Sequence, residues 1–373
     1  MRKVFGMSTK QSVGRNVNFD ILRIVACVFV VCCHVATIGI DDVPLFTEKW
    51  ISAHILNGIG HTGSIIFLFL SGALLLADDY DFKPKRFYLS NFLKLLVAYQ
   101  LWVTLYNVIG VIRRGNFGAE YLKDIVINSI AGEACYHFWY LPVLLGIYLI
   151  LPMLRAICKA GKGVVVHFVV LFLVIQILFK AVLCFEFKYK YLVAFLFNRI
   201  PVTLVNHYVG YFVMGYLLCM LLKEGKIKRP ALCGSLTFFS GILVGLLADS
   251  YLSLKAGVPL TTFNDIFTIS SCMSAVGIFL WLNAKAVVLE KKWNKRVQGV
   301  AKLTFGIYMV HPLFMEIIIE FWQYVDFLPR IILIPAMVVA LFLISALPIW
   351  ILSKIPIIDE WLLFCGKRKK GTA

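Results

Sequence analysis

The stretch FDILRIVACVFVVCCHV, residues 19–35, is apolar enough to enter a membrane, yet it carries Asp20, Arg23 and His34. A carboxylate, a guanidinium and an imidazole are groups that bind ions and move protons, and imidazole exchanges its proton near neutral pH. On a helix, Arg23 and His34 stand about 16 Å apart along the axis and within about 20° of one face. Cys27 falls between them in angle, and Asp20 lies about 60° to the other side of Arg23, so the four form one narrow stripe. Arg23 and Asp20 would also suit the anchoring of a helix end at the interface. His34 sits deeper, where an ionisable group is costly, usually faces protein or water and marks function. A neutral imidazole bonded to a neighbouring helix is the plainer reading of it.

The elements that must hold these groups are membrane helices. Of 373 residues, 61% are hydrophobic and 15% charged, with a mean hydropathy of +0.86. A soluble domain has about 45–50% and about 25%. A bilayer span needs about 20 apolar residues. Ten stretches qualify: 19–40, 52–77, 90–112, 134–154, 164–184, 203–222, 231–249, 264–284, 300–321 and 331–353. None alternates as a transmembrane barrel strand would. The expected fold is therefore all-α, a polytopic membrane protein of about ten transmembrane helices. Residues 1–18 are expected as a cytoplasmic tail, 19–353 as the transmembrane domain and 354–373 as a basic cytoplasmic tail. The first apolar run exceeds the core of a signal peptide, about 7–15 residues, so it is expected to be retained.

Lys and Arg support this layout. One alternating set of loops and tails holds 25 of them and the other set 9, which places both termini inside. The same bias accounts for the net charge of +17 without nucleic acid, for no basic run is interleaved with stacking aromatics. Six of the ten cysteines (Cys27, Cys32, Cys33, Cys184, Cys219, Cys272) lie in apolar runs and none forms a CxxC pair. His54 and His61 share a helix face but lack the further ligands of a zinc set. No metal is expected.

Five segments resemble a known family in order along the chain. NFDILRIVACVFVVCCHV is similar to the first helix of acyltransferase family 3, integral membrane enzymes that O-acylate cell-surface carbohydrates. Its Arg, ten residues, then His are matched by Arg23 and His34. SIIFLFLSGALLL (64–76) resembles the motif closing the second helix, with Leu68 where a second aromatic is usual. HFWYLPVLLGIYLILPML (137–154) resembles the aromatic–Leu–Pro helix, and VGYFVMGYLL (209–218) the mid-chain Phe–x–x–Gly helix. AKLTFGIYMVHPLF (301–314) is similar to the late Ser–Phe–Gly–x–Tyr–x–x–His–Pro motif, with Thr304 for Ser. On the third helix the family often has two spaced arginines. Asn91 and Lys94 stand there instead, and Lys lacks the bidentate fork of Arg.

The resemblance implies an acyl-CoA donor, acetyl-CoA in the simplest case, arriving from the cytoplasm. Arg23, Arg86 and Lys94, with Ser71 of the second-helix motif, would hold it; ordinary positive-inside bias also accounts for Arg86. His34 and Arg23 would be catalytic, His34 as general base for the acceptor hydroxyl or as a transient acyl carrier. His61, Glu133, His137, Tyr308 and His311 would meet a carbohydrate acceptor, a surface polysaccharide or lipid-linked sugar, from the far side. His311 before Pro312 could equally stabilise a kink. The lipid bilayer of the cell membrane is the remaining partner. A multi-pass transporter or flippase of a polysaccharide precursor is the alternative. Against it, the two halves show no repeat, and paired acidic residues in mid-membrane are missing. With both termini inside, an epitope at either end should react with antibody only after permeabilisation. Staining of intact cells would contradict the helix count.

Overall fold

Asn16 starts the first helix by accepting the Asn18 N–H on its own side chain at 3.0 Å. The cap satisfies one of the N–H groups that every helix start leaves open. Helix α1 then runs Val17–Ala36 and ends one turn beyond Cys33, with His34 in its last turn. Thr47 does the same for α2, Glu48–Leu75, accepting from Trp50 N at 3.3 Å. The computed structural model describes residues 16–115, 118–132, 135–199 and 207–363. Further along the chain lie α3 (Pro84–Arg114) and α4 (Ala119–Ala131), then a 3-10 turn at Tyr136–Trp139. After it come α5 (Tyr140–Leu149), α6 (Leu151–Lys159), α7 (Lys162–Leu183) and α8 (Lys190–Asn198). The remainder is α9 (Tyr208–Lys223), α10 (Pro230–Ala256), α11 (Ile269–Leu282), α12 (Lys291–Val325) and α13 (Arg330–Leu352). There is no strand among the described residues.

Eight of these helices are long and apolar enough to cross a bilayer among the described residues: α1, α2, α3, α7, α10, α11 with its leading turn, α12 and α13. Two of the ten expected stretches come out differently. The fourth is bent between α5 and α6, where Pro152 withholds the N–H that would continue one helix. The sixth gives the shorter α9, which begins at Tyr208 after His207 at φ 61°; residues 203–206 lie outside the described part.

Helix α2 is the hub of the bundle, and glycines let its neighbours reach it. A Cβ on Gly60 would stand 2.4 Å from the Cys33 backbone nitrogen, so α1 and α2 touch backbone to backbone. On the other side, a Cβ on Gly215 of α9 would stand 2.2 Å from the Phe69 carbonyl oxygen. Small residues at such crossings are how membrane helices gain packing in a solvent as apolar as themselves. Helix α12 closes on α1, where the Cys27 thiol meets the Thr304 carbonyl at 3.5 Å. At the other end of α2, the buried Arg155 of α6 donates to the carbonyls of Leu75, Ala77 and Tyr80, filling the acceptors that a helix C-terminus leaves open.

Part of the segment after α13, within the stretch expected as a basic tail, packs on the bundle. Pro356–Ile358 and Asp359–Leu363 turn back along α3, where the Trp102 indole N–H donates to the Leu362 carbonyl at 3.2 Å and Leu363 is fully buried. The physical reason is the apolar end of this segment, where Leu363 is buried with Ile358 and Leu362 half-buried beside it, and burial of such surface is favourable. Replacing Gly215 by Ala should place a methyl group on the Phe69 backbone and cost about 1–3 kcal/mol. The check is thermal unfolding in detergent. An unchanged melting temperature would contradict the close α2–α9 crossing.

Candidate functional site

Three imidazoles from three elements converge at the end of α1 that carries His34. The His34 ring lies 5.2 Å from that of His311 on α12, with planes 24° apart. His137, in the 3-10 turn, meets His311 edge-on at 5.4 Å. Tyr136 presents its ring edge to His34 at 4.9 Å. His137 and His311 are buried and His34 is half-buried.

Tyr308 ties the group together. Its hydroxyl donates to the His137 backbone carbonyl, and its own carbonyl lies 2.8 Å from His311 Nδ1. From α3, the Tyr106 hydroxyl donates to the Met309 carbonyl at 2.6 Å. The loop turn and the middle of α12 are thus fixed to each other by phenol–carbonyl bonds, which a bilayer interior favours because it offers no competing water. A second row of hydroxyls leads away from the cluster. Tyr140 lies 5.9 Å from Tyr308, ring to ring, and its hydroxyl is near Ser71 on α2.

A cleft of about 850 Å³ opens beside His34, between α1, α3 and α12. Tyr106, Arg113, Cys135, Tyr136 and Glu316 share its wall with His34, and Arg113 is ion-paired with Glu316. That volume is in the range of small-molecule sites, about 300–1,000 Å³. Imidazole on the wall gives a proton acceptor; aromatic edges and a charged rim give places to hold a polar molecule.

The structure gathers some of the residues singled out by sequence and separates others. His34, His137, Tyr308 and His311 stand together. His61, half-buried on α2, lies within electrostatic range of His34, brought there by the Gly60–Cys33 contact. His54, on the same expected face of α2, turns away to Asp249 of α10, with Nε2 at 3.4 Å from the carboxylate. Glu133 lies outside the described residues. Arg23 is ion-paired with Asp20 at 3.2 Å and its side chain is 33% exposed; it does not line the cleft. Between it and His34, Cys27 is fully buried against Thr304, so protein fills the stripe at that point. Ser71 is half-buried and Arg86 exposed. Lys94 forms an ion pair with Glu360 and lies under the Trp361 ring, both from the returning C-terminal segment.

Sequence reasoning missed Tyr106, Arg113, Cys135 and Tyr136 as members of the site. Tyr106 sits in an apolar run and Arg113 reads as one more loop charge. Adjacency to His137 is the one signal that Cys135 and Tyr136 offered.

A family model described as an acyltransferase domain, that of acyltransferase family 3, matches residues 16–353. No curated protein and no solved structure matches the chain. Replacing Tyr308 by Phe removes a buried hydrogen bond worth about 1 kcal/mol and frees the 3-10 turn. Thermal unfolding should register the loss as a melting temperature lower by a few degrees. No change would mean that the hydroxyl does not hold the turn.

Proposed function

The chain belongs to acyltransferase family 3, and from that premise we propose that it moves an acetyl group from cytoplasmic acetyl-CoA to a hydroxyl of a cell-surface or lipid-linked carbohydrate. The membrane in question is the cell membrane. The observation that carries this reading is the cleft at His34, in which an imidazole backed by two others faces a space large enough for a sugar unit.

The acceptor hydroxyl sits in the cleft, where Tyr136, Arg113 and Glu316 hold the sugar. His34 takes the hydroxyl proton as the oxygen attacks the thioester carbonyl. The tetrahedral intermediate collapses, the new ester forms, and the CoA thiolate leaves and recovers the proton from the imidazolium. Free CoA thiol and the O-acetyl sugar are the products. General-base assistance of this kind contributes about 10²–10⁴-fold.

The donor's phosphates stay at the opposite face, near Arg23, Arg86 and Lys94. Guanidinium suits phosphate through paired N–H donors. Lys94 must first exchange Glu360 for the incoming anion. The acyl arm then follows the row Ser71, Tyr140 and Tyr308 towards His34, since the direct line along α1 is filled at Cys27.

His34→Ala should lower acyl transfer at least about 100-fold with membrane abundance unchanged, read as ester content of the surface glycan. Full activity in that variant refutes the assignment. Arg23→Ala should raise the apparent KM for acetyl-CoA about tenfold and leave kcat nearly as it was; an unchanged KM removes Arg23 from donor binding. Cells lacking the protein should keep their glycan but lose its esters, whereas a transporter would leave the glycan itself missing.

A further inference from the structure

Pro312 changes the bonding of α12 at the residue before it. In an α-helix the N–H of position 312 would donate to the carbonyl of position 308, and proline has none to give. The Tyr308 carbonyl is thereby left open inside the bundle, where an unpaired backbone group is costly. His311 fills it. Its Nδ1 lies 2.8 Å from the Tyr308 oxygen and 3.3 Å from that of Ile307. A carbonyl only accepts, so Nδ1 must carry the proton. Neutral imidazole has one such proton, and Nε2 is therefore left with a bare lone pair.

That lone pair is fully buried and has no hydrogen-bond partner among the described residues. Buried acceptors are nearly always paired in folded proteins, so a donor is called for. Two nearby phenols are committed, Tyr308 to the His137 carbonyl and Tyr106 to the Met309 carbonyl. The imidazoles in ring contact with His311 are those of His34 and His137, at 5.2 and 5.4 Å between centroids. A ring rotation or one bridging water closes such a gap. Of the two, only His34 lines the cleft.

We propose that His311 is a positioning residue that sets the tautomer of His34: its Nε2 accepts from one ring nitrogen of His34, so that the other nitrogen is bare towards the cleft. This rests on the reading of His34 as the proton acceptor. A base with its proton on the wrong nitrogen cannot act, and the ring that fixes it need never touch substrate. Here the fixing group is a neutral imidazole whose own proton is pinned by the carbonyl that Pro312 releases. When His34 takes the hydroxyl proton, the imidazolium still donates to the same Nε2, which stabilises the charge where it forms.

Two substitutions separate this role from simple support of α12 at Pro312. Asn at position 311 keeps an amide N–H for the Tyr308 carbonyl and places nothing where Nε2 was. Gln extends an amide oxygen towards the Nε2 position. The measurement is steady-state acetyl transfer by the protein in lipid nanodiscs, with melting temperature followed alongside. His311→Asn should lower kcat about tenfold or more while KM for acetyl-CoA and acceptor and the melting temperature hold. His311→Gln should recover most of that loss. Wild-type kcat in the Asn variant, or a Gln variant no better than Asn, overturns the proposal. His34→Ala run in parallel tells the two levels apart: a fully active His34→Ala removes the base itself, whereas an inactive His34→Ala beside a normal His311→Asn removes only the tautomer control.

Discussion

A polar group stranded in a bilayer core has no water to turn to, and the arrangement around His34 follows from that constraint. Backbone carbonyls near Pro312 of α12 and in the 3-10 turn have donors: Tyr308 receives His311, Met309 receives Tyr106, and the turn at His137 receives Tyr308. These bonds draw α1, α3, α12 and the 3-10 turn to one point. The proposed reaction site is what remains when the last donor and acceptor positions are left for a substrate. The same pressure acts at the other face, where Arg155 gathers three carbonyls at the end of α2.

In the proposed mechanism depth divides the labour of the site. Arg23 stays at the start of α1 with Asp20, while His34 stands eleven residues further along the same helix. An anionic donor and a polar acceptor arriving from opposite sides would each find the kind of group they need near their own face. The buried contact of Cys27 with Thr304 fills α1's polar stripe between the two ends. The returning segment that holds Lys94 with Glu360 and Trp361 adds cover on the side of Arg23.

Much of this was legible in residue order because membrane helices announce themselves by length and hydropathy. The apolar runs could be anticipated from length and hydropathy, and His34, His137, Tyr308 and His311 were singled out from types, spacing and family likeness. Tyr106 and Tyr136 could not, since a tyrosine in an apolar run looks the same whether its hydroxyl meets lipid headgroups or a carbonyl of another helix. Nor could the parting of His54 from His61: both lie on one face, yet Asp249, far along the chain, captures His54. The segment at 356–363 was concealed by its neighbours, because the basic residues beyond it dominate the composition of a short window. Partners distant in sequence are set by packing, and local pattern carries no trace of them.

The most direct measurement is the structure of the protein in a nanodisc with a non-transferable thioether analogue of acetyl-CoA bound. The account predicts the analogue's acyl end within hydrogen-bonding distance of the His34 ring and its phosphates beside Arg23. An acyl end remote from His34, or phosphates on the cleft side of the cluster, would contradict it.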